Sequence, residues 1–455
     1  MKNILIIGAG KSSSSLFKYL LDRSEEENLH LTIADITTDY AKKIIGNHKN
    51  ATIITLDVFN QEQRKRAVKN ATIVVSMLPA RFHIEVAKDC ILFKKNLVTA
   101  SYISKEMKNL DKEVKENGLV FMNEIGVDPG IDHMSAMQVI DKIKAKGGKM
   151  LLFESFTGGL VAPESDNNLW NYKFTWNPRN VVLAGQGGAA MFIQEGTYKY
   201  IPYQKLFRRT EFLEVNNQKF EAYANRDSLK YRSIYGLDLI PTMYRGTIRK
   251  VGFSRAWNIF VQLGMTDDSY TLANSENMSY RDFVNLFLAY SPSDSVELKL
   301  RSYLKIDQDD VMWEKLIELD FFNDKKLIGI ENATPAQMLQ KILEDSWTLQ
   351  KDDKDMIVMQ HLFGYEINGK KEQIESSLIV LGENQQYTAM AKTVGLPVAI
   401  ATLKILKEEI KTTGVQRPTA KEIYEPILKE LGENGIKFTE RRVKYLGYNP
   451  HAVIG

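Results

Sequence analysis

Apolar and polar positions fall in regular blocks along the first part of the chain. The opening segment MKNILIIGAGKSSSSLFKYL reads as an apolar strand running into a turn at Gly8 and Gly10 and then into a helix. Further β-rich runs follow at Leu31–Ile36 (LTIADI), Ala51–Leu56 (ATIITL), Thr72–Leu78 (TIVVSML), Asn96–Ala100 (NLVTA) and Leu119–Met122, separated by polar segments of helical length. Strands alternating with helices predict an α/β fold built on a doubly wound parallel sheet.

A second regime starts near Lys149 with the apolar run MLLFESF and continues into TGGLVAPESDNNLWNYKFTWNPR, a loop-rich stretch better suited to ligand surface than to core. From about Ser269 to Trp347 charge rises and Leu, Phe and Ile recur at three and four residue spacing, which predicts a helical subdomain with a solvated charged face. At Asp355 an alternating strand, DMIVMQHLFGYEI, meets a second, KEQIESSLIVLG, across Asn368 and Gly369, the signature of a hairpin. The apolar helix TAMAKTVGLPVAIATLKIL follows and is expected to pack on the first domain.

At 455 residues the chain is too long for one core and predicts two or three domains. Its 60 Lys and Arg nearly balance 57 Asp and Glu, without the basic stripe that nucleic acid requires, so no nucleic-acid partner is expected. No run of eighteen apolar residues suggests a membrane span, and the first strand begins at once, so the chain reads as cytoplasmic. The single cysteine, Cys90, lies in an apolar helical context that predicts packing.

The glycine turn carries the first chemical signal. A strand, a tight Gly turn and a helix N-terminus together offer N–H groups and a positive dipole end to a pyrophosphate. Gly8, Gly10, Lys11, Ser12 and Ser13 form that turn; Ser13 replaces the usual third glycine and either bonds phosphate or sits in the first helical turn. Asp35, 27 positions after Gly8, ends the second run, where an acid binds ribose hydroxyls and repels the extra phosphate of NADP. No basic residue follows before Lys42, so NAD is the expected cofactor, unless Asp35 is an ordinary strand-end acid. Ile36, Asp57, Val58, Leu78 and Pro79, at the ends of the second, third and fourth runs, complete the expected cofactor contacts.

The stretch Ser101–Met137 is more specific. Ser101 and Tyr102 lie beyond the fifth strand and Glu124 to Asp132 beyond the sixth, where an open α/β sheet forms its ligand crevice. Asp128 or Asp132 can also cap the helix that begins near His133.

These blocks carry a resemblance. The GAG turn, SMLP at Ser76, MNEIGVDPGIDH at Met122, GGLVAPE at Gly158, YKFTWNPR at Tyr172, NRDS at Asn225, RGTIRKVGF at Arg245, MIVMQH at Met356 and AMAKTVGLPVAIA at Ala389 resemble the saccharopine dehydrogenases of the L-glutamate-forming kind nearly end to end. The resemblance implies conversion of saccharopine, NAD(P) and water to glutamate and 2-aminoadipate 6-semialdehyde, in lysine metabolism. It also implies a Rossmann domain from both chain ends (1–125 plus 388–455) around an inserted α+β substrate domain (126–387) carrying the helical stretch 269–347; the large β-rich middle domain makes a homodimer the expected assembly.

Matched position by position, Ser101, Tyr102, Val127, Asp128 and Pro129 fall at the substrate and nicotinamide. Arg226, Thr247, Ile248 and Arg249 fall where substrate carboxylates are held. A planar guanidinium fork suits the three carboxylates of saccharopine; a surface ion pair is the plainer reading of either arginine alone. Trp176 covers substrate or nicotinamide, or packs. Two departures stand out: family members that use NADP tend to carry a basic residue where this chain has Asp35 and Ile36, and Thr157 and Val161 replace a cysteine and a proline. Asp128 and Tyr102 are the candidates for the general base that keeps the substrate amine neutral and then helps water attack the imine. His83, His133 and His361 read as scaffold, and no residue cluster has metal-ligand spacing. Two alternatives are a related imine-reducing dehydrogenase of the carboxynorspermidine type, which needs an acid in place of Arg226 or Arg249, and a non-catalytic NAD-binding regulator.

Overall fold

The computed structural model describes residues 1–448 and 453–454, so residues 449–452 and 455 of the expected C-terminal segment lie outside the described residues. The chain divides into two compact units, one of residues 1–150, 365–370 and 378–441, the other of residues 151–364, 371–377 and 442 onward.

In the first unit, β1 (Lys2–Ile7), β2 (Leu29–Asp35), β3 (Ala51–Thr55), β4 (Ile73–Ser76), β5 (Asn96–Val98) and β6 (Val120–Met122) share a seven-stranded sheet with Gly414–Gln416. The order is Gly414–Gln416, β6, β5, β4, β1, β2, β3, and all pairings are parallel. This is the doubly wound order expected from the sequence, with its switch point between β1 and β4. Ile4, Leu5, Ile6 and Ile7 are all buried, as a strand covered on both faces requires.

Helix α1 (Ser14–Asp22) packs on the helix Ala389–Leu406. A Cβ at Gly395 would stand 2.7 Å from the Leu16 amide nitrogen, so the two backbones meet only because position 395 has no side chain. Fourteen of the 18 residues of Ala389–Leu406 are buried. By length and composition this helix is apolar enough to cross a membrane, which corrects the expectation that the chain holds no such stretch; Lys392 and Lys404 interrupt its apolar run. The first compact unit runs on past residue 126 to include helix Ile131–Ala145, where Tyr424 of helix Lys421–Glu433 donates to Asp141 at 2.7 Å.

The second sheet has ten strands. Its main order is Thr439–Lys444, Lys370–Leu381, Asp355–Ile367, Lys149–Val161, Thr242–Lys250, Gln218–Ala224, Thr210–Val215 and Val453–Ile454, with Ala190–Gln194 and Thr197–Ile201 branching from Thr242–Lys250. The hairpin at Asn368 and Gly369 has φ of 51° and 73°, the two positive values that an Asn-Gly turn supplies between antiparallel strands. Helices Tyr280–Asn285, Val296–Leu304, Val311–Glu318 and Pro335–Trp347 occupy the stretch expected to be helical, each started by a side-chain cap from Ser279, Ser295, Asp310 or Thr334. Trp170, Tyr172, Phe253, Trp257 and Trp347 pack ring against ring in the core of the second unit.

Candidate functional site

At the switch point, Gly8 has φ +103°, and a Cβ there would stand 2.8 Å from the Met77 carbonyl carbon; the β1 turn and the SMLP segment touch backbone to backbone. The N–H of Ser13 donates to Gly10 O at 3.0 Å and its hydroxyl to Gly8 O at 3.5 Å, and the residue is 1% exposed. Of the two roles open to Ser13, the structure gives it the first helical turn, which corrects its assignment to a phosphate; Gly10, Lys11 and Ser12 remain at the surface of the turn. Asp35 Oδ2 accepts from the Ala9 N–H at 2.6 Å, and Oδ1 from the Thr37 N–H at 3.0 Å. The acid at the end of β2 is thus held against the glycine turn. Ile36 is exposed and Pro79 exposed, Asp57, Val58 and Leu78 are half-buried, and Asp57 Oδ1 accepts from the Phe59 N–H at 2.9 Å. The turn, its bare N–H groups and Asp35 fit a dinucleotide.

Beyond β5 and β6 two loops meet. The Tyr102 hydroxyl donates to Asp128 Oδ1 at 3.0 Å. Val127 and Pro129 are buried and Asp128 half-buried, and the Asp128–Pro129 peptide is cis. Asp132 Oδ1 accepts from the Gly130 N–H at 2.6 Å, so Asp132 braces the helix start and Asp128 is left to face Tyr102. Glu124 binds the two loops together: Oε1 accepts from the Ile103 N–H at 3.0 Å and the Glu124 N–H donates to Ser101 O at 3.0 Å. His133 Nε2 lies 2.9 Å from Glu124 Oε2, and the Arg417 guanidinium reaches the same carboxylate at 3.3 and 3.4 Å. Burial by itself would raise the Glu124 pKa, but His133, Arg417 and the Ile103 amide hold it at about 2. Glu124 is therefore a buried anion with all its partners inside the first unit.

In the second unit, Thr242–Lys250 pairs with Lys149–Val161 on one side and Gln218–Ala224 on the other. Thr247 lies in register with Thr157 and donates through its hydroxyl to Asn225 Oδ1 at 2.6 Å. Ile248 is buried against the Gly158 backbone. Arg249 is 4% exposed, with its guanidinium 5.1, 5.7 and 5.3 Å from the ring centres of Tyr172, Tyr223 and Phe253. Its hydrogen bonds go to neutral oxygens only, Ile248 O at 2.8 Å and Tyr223 Oη at 3.4 Å, and its Nε has no partner. Among the described residues no carboxylate stands within 4.0 Å of Arg249 or of the exposed Arg226, which excludes the ion-pair reading of both. A buried guanidinium with no carboxylate in contact is costly, and an anionic ligand at its open Nε would offset that cost. Trp176 is 37% exposed and stands apart from the buried tryptophan core; Val161 is fully buried.

Sequence reasoning missed Glu124, Arg417 and the environment of His83. Arg417 lies 293 positions from Glu124, and nothing local marks that pairing.

A Rossmann-type unit with a dinucleotide turn, in one chain with a mixed sheet that carries Arg249 and a loop that carries Arg226, neither with a carboxylate within 4.0 Å among the described residues, defines the class. Residues 4–122 match the saccharopine dehydrogenase NADP binding domain and residues 126–436 the saccharopine dehydrogenase C-terminal domain. The chain belongs to the saccharopine dehydrogenase family. It is 32% identical over 450 residues to saccharopine dehydrogenase [NADP(+), L-glutamate-forming] of Saccharomyces cerevisiae, covering 97% of this chain and 99% of that one. A solved apo structure of the yeast L-Glu-forming enzyme superposes with a TM-score of 0.87 over 97% of this chain and 100% of the other, at 32% identity. The mitochondrial alpha-aminoadipic semialdehyde synthase of Rattus norvegicus is 34% identical over 97% of this chain, which spans 48% of that relative's length.

Proposed function

We propose that this protein is a saccharopine dehydrogenase of the L-glutamate-forming kind, which oxidises saccharopine to L-glutamate and 2-aminoadipate 6-semialdehyde, or runs the reverse. The observation that carries this is Arg249, a buried guanidinium walled by three aromatic rings with no carboxylate within 4.0 Å among the described residues. With Arg226 it supplies two cationic forks for a substrate that carries three carboxylates. No acid stands at either position, as the carboxynorspermidine-type alternative would need.

When bound, the nicotinamide supplies the hydride acceptor. The chain's own part is to hold and to move protons. Tyr102 and Asp128 stand together beyond β5 and β6, where Asp128 takes the proton of the substrate ammonium and releases it to solvent, then accepts that of the water attacking the imine carbon and returns it to the departing amine nitrogen.

NAD is the proposed cofactor. Asp35 ends β2 beside the glycine turn, and the next basic residue is Lys42, so a 2′-phosphate there would meet an anion. This departs from the yeast relative, whose name specifies NADP(+). A cytoplasmic homodimer belongs to the same reading, with sedimentation as its check. Absorbance of reduced nicotinamide with saccharopine, in parallel with NAD and NADP, tests the proposal: reduction with neither cofactor overturns it, and reduction favouring NADP overturns the cofactor assignment alone.

A further inference from the structure

His83 opens the helix His83–Leu92 and is 4% exposed. Its ring is enclosed by hydroxyls. Nδ1 lies 2.8 Å from Ser76 Oγ at the end of β4, and Nε2 lies 2.7 Å from Ser101 Oγ and 3.3 Å from Thr99 Oγ1. One imidazole therefore joins the SMLP segment, at the cofactor end of the sheet, to the serine that precedes Tyr102.

We infer that His83 is a positioning residue for Ser101, with its Nε2–H donating to Ser101 Oγ so that the serine's own proton points outward to the substrate. The inference rests on the proposed reaction only in placing Ser101 at the substrate.

Burial holds the His83 pKa down to about 4, so the ring is neutral at physiological pH. A neutral imidazole has one N–H and one lone pair, so the hydroxyls on its two sides must take opposite roles. With the proton on Nε2, Ser76 donates to Nδ1 and Ser101 accepts. The Ser101 proton is then free for an oxygen of an anionic substrate. The opposite tautomer would consume that proton inside the protein and present only lone pairs, the wrong polarity for a carboxylate. The ring thereby sets the polarity of the serine, and no charge is introduced beside the reacting carbon.

Imidazole ¹⁵N spectra of the histidine-labelled protein test this without turnover, because the chain has only 6 histidines and His83→Gln identifies the signal. The expected result is a ring protonated at Nε2 alone, without titration between about pH 6 and 8, whose Nε2 signal moves in Ser101→Ala. Protonation at Nδ1, titration in that range, or indifference to Ser101→Ala would each overturn the inference. Kinetics supply the second arm. His83→Leu is expected to lower kcat/KM for saccharopine about tenfold, the worth of one hydrogen bond, with dinucleotide affinity unchanged. His83→Gln, whose amide N–H can reach the Nε2 position, should restore most of it. The double variant His83→Leu with Ser101→Ala should lose no more than the worse single variant; independent, multiplying losses would show that His83 does not act through Ser101. A wild-type protein that leaves saccharopine unchanged would sink the proposed reaction, while the spectra would still decide the role of His83.

Discussion

The Tyr102 phenol donates to the Asp128 carboxylate across 3.0 Å, bridging loops that leave the paired parallel strands β5 and β6. A donor and an acceptor of protons are thus in direct contact, and substitution separates their roles. Asp128→Asn keeps the volume and removes the base, so kcat should fall by about 10² to 10⁴ with KM little changed. Tyr102→Phe removes one hydrogen bond and should cost about three- to tenfold. Steady-state kinetics of the two variants decide the assignment; equal large losses would move the base to Tyr102.

Arg249→Ala should raise KM for saccharopine and cost about 2 to 5 kcal/mol in kcat/KM, as expected for one partner of a desolvated charge pair. Arg249→Lys keeps the charge but loses the planar fork that fits between Tyr172 and Phe253, so it should recover only a part. A variant with normal KM would remove Arg249 from the substrate site.

Asp35→Ala combined with Ile36→Arg should shift the cofactor ratio toward NADP by at least about tenfold, since it removes an anion and adds a cation where the 2′-phosphate would lie. Asp35→Ala alone should weaken NAD, because the Ala9 amide also loses its acceptor. Fluorescence titration of both reduced cofactors reads each effect. An unchanged ratio would mean that Asp35 only braces the turn.

Two buried groups pull stability in opposite directions with pH. His83, ordinarily near 6.5, is held at about 4 by burial. The unfolded chain binds the extra proton between those values, so its contribution is complete above pH 6.5 and is lost as pH falls through 4, a cost of about 3 kcal/mol. Glu211, buried with Glu154 on the second sheet, is raised to about 7 by burial. Its folded form resists ionising, so stability declines as pH rises from 4.5 through 7. Glu211→Gln should therefore stabilise the protein at about pH 8 and make no difference at about pH 4, which denaturant melts at the two values would show.

Six strands of the doubly wound sheet were legible because each is a short β-rich run closed by a turn, whereas the seventh, Gly414–Gln416, is three residues with one apolar side chain and carries no such signal. The hairpin at Asn368 and Gly369 was legible for the same reason. Ser13 was not: whether its hydroxyl faces phosphate or Gly8 O depends on the pitch of one helical turn. That helix Ile131–Ala145 packs within the first unit was not legible, because the surface that holds it, around Tyr424, arrives nearly 300 residues later. Arg226 and Arg249 could be named from their blocks, but that no acid answers them is a fact of three dimensions.

Strand Gly414–Gln416 completes the first sheet beside β6, and Ala389–Leu406 covers α1. Made at about 5 to 20 residues per second, those segments leave the ribosome on the order of 15 to 60 s after Met122. Throughout that interval the glycine turn and β1 exist with one flank of their sheet unpaired and Leu16 uncovered. The domain that begins first is finished last, so a nascent chain stalled anywhere in the second unit presents an apolar surface to chaperones rather than a cofactor site.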